Sequence, residues 1–176
     1  MFSRIGDRKP SEFVVCGKLK LMANKQSFTS TEWDTVRNSP FLAGFVVVAA
    51  DPSGPIGLFK ESAAVSRMVL NELKNHGTEL MQALATDLKE NVHMPRLDAK
   101  SMDDVKAGGL KSCADAMKLV REKATPQEAV EFKAWLTELA KRVAEASKEG
   151  GIFGFGGTLV SDAEKNALND IQSALA

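Results

Sequence analysis

At 176 residues, with 44% apolar and 26% charged side chains, the chain is long enough to bury a real core and too apolar to be intrinsically disordered. Lysine plus arginine balances aspartate plus glutamate at 23 each, so the basic excess that supplies most nucleic-acid affinity is missing. The longest apolar run, residues 41–50, falls well short of the roughly 18 residues of a membrane span, which argues against a membrane partner.

Residues 1–27 differ from the rest. The first 25 hold six basic side chains against two acidic ones, hence +4, which leaves −4 for the other 151. They carry Pro10 and Gly17, and their apolar run, residues 13–16, is too short for a signal-peptide core. Met22-Ala23-Asn24-Lys25 also reads as a natural protein start. This segment is expected to be a flexible basic extension, with one helical domain over 28–176. Cys16 and Cys113 fit free thiols in a reducing compartment, and the cytoplasm is the expected location.

From residue 28 the punctuation is helical. Ser30 or Thr31 can cap a short helix carrying Trp33 and Val36, which Asn38-Ser39-Pro40 is expected to end. Ser39 and Pro40 then restart a helix to Ala50, apolar on every side and so the expected buried centre, where Gly44 suits a close crossing. Asp51-Pro52-Ser53-Gly54-Pro55 turns the chain. Leu58, Ser62, Val65, Val69 and Leu73 keep helical spacing, and Leu80, Met81, Leu84 and Leu88 mark a further stripe. Asn91 to Lys100 is a polar connection. Ser101 with Asp104 opens a helix through Cys113, Met117 and Val120, weakened early by Gly108-Gly109.

The clearest helix start is Thr125-Pro126-Gln127-Glu128, a capping box with proline at the first helical position. Phe132, Leu136, Leu139 and Val143 follow on one stripe, and Gly150-Gly151 stop it. A glycine-rich link leads to a second capping box, Ser161-Asp162-Ala163-Glu164, and a last helix burying Ala167, Leu168, Ile171 and Leu175. The expected fold class is all-α, a compact bundle of about six or seven helices.

Chemistry is harder to find. Glycines at 151, 154, 156 and 157 could cradle a phosphate. A helix precedes them, however, and acidic residues open the next one, so a structural loop with Phe153 and Phe155 plugging the core is the better reading. Asp51, Glu61, Asp162 and Glu164 flank the two glycine turns and could together hold a hard cation, although neither turn has the alternating acids of a calcium loop. His76 and His93 lack a second ligand at helical spacing, Cys113 reads as a small buried hydrophobe, and Trp33 and Trp135 read as core anchors. Residues 49–59 and 146–155 share a faint pattern of small-residue helix end, glycine turn, isoleucine and aromatic.

Trp33, Pro40, Gly44, Asp51-Pro52-Ser53-Gly54, Lys133-Ala134-Trp135-Leu136, the stretch 149–157 and Val160-Ser161-Asp162-Ala163-Glu164-Lys165 together resemble a family of small all-helical bacterial proteins. That resemblance covers residues 28–176 and brings no activity with it. The two halves, each with a glycine turn and an acidic cap, are also similar to the tellurite-resistance TerB type, which implies a divalent-cation site at Asp51, Glu149, Asp162 and Glu164. In this chain Asp51 is followed by Pro52, and Glu149 stands before the second glycine pair. Two readings result. The favoured one is a non-enzymatic helical interaction or regulatory module, without a cofactor, that binds a protein partner or itself. The alternative is a TerB-like ligand or cation binder using the acidic glycine loops.

Overall fold

The computed structural model describes residues 21–50, 65, 67–71, 77–91, 95, 98–146 and 160–176. Five bounded α-helices fall within them: α1 (Ser30–Val48), α2 (Glu79–Glu90), α3 (Met102–Lys123), α4 (Pro126–Ala146) and α5 (Asp162–Ala174). Residues 65 and 67–71 are helical as well, and Lys25–Ser27 make a 3-10 turn. No strand occurs among the described residues, and the chain forms the expected all-α bundle.

Local chemistry sets the helix starts. Thr29 and Glu32 exchange side-chain and backbone hydrogen bonds, so the first cap is Thr29 and neither Ser30 nor Thr31. The Ser101 hydroxyl accepts from the Asp104 amide at 3.1 Å. Thr125 with Glu128 and Ser161 with Glu164 close the two boxes read from the sequence. The apolar stripes then turn inward: Leu80, Met81, Leu84 and Leu88 of α2, Phe132, Leu136 and Leu139 of α4, and Ala167 and Ile171 of α5 are all buried.

The expected break at Asn38-Ser39-Pro40 does not occur. One helix runs from Ser30 to Val48 with Pro40 inside it. An interior proline costs about 3 kcal/mol, through its missing N–H and its clash with the preceding turn. Two features offset that cost. The Ser39 hydroxyl donates to the Val36 carbonyl, the oxygen a residue-40 amide would have reached. In addition, every residue from 39 to 48 is buried, and each large apolar side chain contributes about 1.5–3 kcal/mol on full burial. Packing along one continuous element therefore outweighs the local signal to stop.

This buried helix is the centre of the bundle and packs on α3, α4 and α5. Its approach to α3 depends on Gly109: a Cβ there would lie 2.5 Å from Val46 Cγ2 and 2.9 Å from the Leu42 carbonyl oxygen. Gly44 serves a second close approach, where a Cβ would meet Val65 Cγ1 at 2.6 Å.

The expected domain boundary at residue 28 also moves. Ala23 is fully buried and Phe28 nearly so, both in the main hydrophobic cluster, so the segment from Ala23 onward belongs to the folded body. Residues 1–20, the turn at 51–55, most of the helix expected between 56 and 75, and the glycine loop at 151–157 lie outside the described residues.

Candidate functional site

The last turns of α2 set a carboxylate into its apolar face. Leu84 and Leu88 point into the core, and Asp87 between them is only 7% exposed. A carboxylate is tolerated at such a position only when donors replace its water, and here they come from three directions. Lys25 Nζ reaches Oδ1 at 2.6 Å, Trp33 Nε1 donates to Oδ2 at 3.1 Å, and Asn91 Nδ2 donates to Oδ1 at 3.2 Å. Arg37 Nε lies 2.8 Å from Oδ2, close in charge although out of line for a hydrogen bond, and the same guanidinium donates to the Asn91 carbonyl that ends α2. Burial pushes the Asp87 carboxyl upward. The Lys25 ammonium and the Trp33 N–H, with Arg37 behind them, outweigh that effect and hold it below the ordinary aspartate range.

Beside this carboxylate the surface is concave. A cleft of about 340 Å³ is lined on one side by Asn24, Lys25 and Gln26 and on the other by Ala83, Thr86, Asp87 and Glu90 of α2 with its C-cap Asn91. Glu90 is exposed, and the walls mix both charge signs with amides and a hydroxyl. Such a lining can hydrogen-bond to polar groups. Asp87 itself is a poor general base, being held ionised with its oxygens already occupied.

A second buried carboxylate holds the cleft's outer wall in place. Glu128, in the first turn of α4, is fully buried. Its oxygens accept from the Ala23 amide at 3.0 and 3.1 Å, the Leu80 amide at 3.2 Å, and the Thr125 amide and hydroxyl at 2.9 Å each. One side chain thus caps its own helix, satisfies an early amide of α2 and anchors the N-terminal segment. Asn24 Nδ2 adds a 2.8 Å bond to Glu79.

The residues singled out from the sequence fare differently. Asp51, Glu61, Glu149, His76 and His93 lie outside the described residues. Asp162 points to solvent, its side chain 94% exposed, and pairs with Lys165 at 2.9 Å, which holds its carboxyl below the usual range. Glu164 is buried and accepts from the Ser161 amide and hydroxyl at 2.7 and 2.8 Å. Both of these acids are engaged at the start of α5, and no group of three or more potential metal ligands forms among the described residues. Cys113 is buried beneath α1, and burial pushes its thiol up to about 12, so it is inert as a nucleophile. Trp33 and Trp135 are core residues as expected.

Asp87 was missed by sequence reasoning. The available signal was an acid within the apolar stripe of α2, with Trp33 and Arg37 spaced four apart as a donor pair. No protein-family model matches the chain, and neither a curated protein nor a solved structure matches it. Among the described residues, no helix is long and apolar enough to cross a membrane.

Proposed function

We propose that this chain is a non-enzymatic helical module that acts by binding another protein chain, or a second copy of itself, at the cleft beside Asp87. The observation that carries the reading is the state of that carboxylate, which lines an open polar cleft while hydrogen-bonded by Lys25, Trp33 and Asn91 and held ionised. Such a group fixes the shape and charge of a recognition surface and is unsuited to moving protons. The other buried carboxylates, Glu128 and Glu164, are tied into helix caps, and the Cys113 thiol is silenced by burial. Among the described residues, Glu128, Glu164 and Cys113 thus serve the fold, and chemistry for recognition is left on the surface. A cation site at Asp162 and Glu164 is not part of this reading, because both acids already have partners within their own helix start.

The test is site-specific photo-crosslinking in the source cells. A crosslinking side chain at the exposed cleft residue Glu90 should give a discrete protein adduct that one at Lys118, outside the cleft, does not. No adduct from Glu90, or the same adducts from both positions, would refute the proposal.

A further inference from the structure

The N-terminal segment 22–28 is attached to the helical body in an unusual way. Among the described residues its backbone–backbone hydrogen bonds are internal, from the Ser27 amide to the Asn24 carbonyl and from the Phe28 amide to the Lys25 carbonyl. It is held to the body by two apolar anchors, Ala23 and Phe28, the latter with its ring centroid 5.6 Å from that of Trp33, and by polar bonds to side chains. Three of those side chains keep partners in its absence, and the fourth, Glu79, which accepts from Asn24 at 2.8 Å, is only half-buried and regains water. Asp87 retains Arg37, Trp33 and Asn91, and Glu128 retains Thr125 and the Leu80 amide. Lys123, which donates to the Ser27 carbonyl at 3.4 Å, retains Glu32 at 2.7 Å. The helix that follows is closed by its own Thr29–Glu32 box. Lifting the segment therefore strands no buried charge on the body and uncaps no helix, the two costs that make local opening expensive.

We infer that residues 22–28 form a strap that opens as a unit while the helical body stays folded, with Lys25 as its latch. Lys25 suits that role: its side chain is 58% exposed, and its 2.6 Å contact with Asp87 is the strap's ion pair to the body among the described residues. Because Asn24, Lys25 and Gln26 form one wall of the cleft, an open strap dismantles the cleft, and a ligand bound there holds the strap closed. This link to binding rests on the proposed function; the opening itself does not, and it is measurable on the free protein.

The experiment is native-state hydrogen exchange on the full chain, comparing the Ala23 amide with the Val46 and Val47 amides of α1. The expected result is that Ala23 exchanges faster than the α1 pair, through an opening with weak denaturant dependence. Lys25→Ala should speed Ala23 exchange about tenfold, the loss of one charge-assisted bond, and leave Val46 and Val47 unchanged. Exchange of Ala23 together with α1, with the same denaturant dependence, would overturn the strap. A faster Ala23 that Lys25→Ala leaves unmoved, or equal acceleration of all three amides, would overturn the latch.

Discussion

Ser39 Oγ lies 2.8 Å from the carbonyl oxygen of Val36 and donates to the acceptor that Pro40, lacking an N–H, cannot reach. The hydroxyl stands in for a missing main-chain amide at a point where water is excluded, since Ser39 and Pro40 are both buried. Ser39→Ala should therefore cost about 1–3 kcal/mol, the penalty for a buried acceptor left unpaired. In a Pro40→Ala background the amide returns, and the same Ser39→Ala change should cost much less. Denaturant unfolding of the two single variants and the double variant measures that coupling. Equal costs in both backgrounds would mean that the hydroxyl does not replace the amide.

The crossing of α1 and α3 has no room for a methyl group at Gly109. A Cβ there would meet a main-chain atom, the Leu42 carbonyl oxygen, at 2.9 Å, and the backbone of a buried helix cannot step aside as a flexible side chain can. Gly109→Ala gains about 1 kcal/mol in helix propensity but forces the helices apart, at a typical overpacking cost of about 1–3 kcal/mol. The net expectation is a loss of up to about 2 kcal/mol by denaturant unfolding. Gly77→Ala, where an added Cβ meets nothing within 4 Å, is the control and should be close to neutral.

Acid should weaken the fold partly through Asp87. Its folded-state pKa lies below its ordinary value, so the ionised carboxylate stabilises the fold at neutral pH. That contribution is lost as pH falls through and below the ordinary aspartate range, about 4. Asp87→Asn leaves the buried Arg37 without its counter-charge and should cost about 3 kcal/mol at pH 7. Melting curves of the variant and the unaltered chain should converge as the pH drops below about 4. Glu32 and Asp162, also held below their usual range by lysine partners, leave the variant some acid sensitivity of its own. A stability gap that stays constant from pH 7 to pH 3 would show that Asp87 acts through packing and not through charge.

How much of this was legible in the sequence depends on the range of the interaction. The boxes at Thr125 and Ser161 and the stripe at Leu80, Met81, Leu84 and Leu88 are written within a few residues, and each forms where it was expected. The buried run through residues 41–48 was equally plain, because no amphipathic surface helix is apolar on all sides. Asn38-Ser39-Pro40 misled, since a local rule of about 3 kcal/mol was set against the burial of ten consecutive residues, which only the assembled bundle provides. The cleft was only faintly legible, for a different reason. Asp87 meets Trp33 across 54 positions and Glu128 meets Ala23 across 105, and neither acid carries a local mark of its distant donors. The same blindness placed residues 22–27 outside the domain, because their composition resembles a tail and their anchors lie on α2 and α4.

Glu128 offers the most direct test of the view that buried carboxylates hold this fold together across distant segments. Its oxygens accept from the amides of Ala23, Leu80 and Thr125, three sites on three separate stretches of chain. Glu128→Gln keeps the shape, but it replaces one acceptor oxygen with an NH₂ that faces those N–H donors. The decisive measurement is the amide ¹H–¹⁵N correlation spectrum of Glu128→Gln against the unaltered chain. The expected result is large, concerted shifts at Ala23, Leu80 and Thr125, with the amides of α5 unmoved. A shift confined to Thr125 would contradict it, because Glu128 would then be capping its own helix and nothing more.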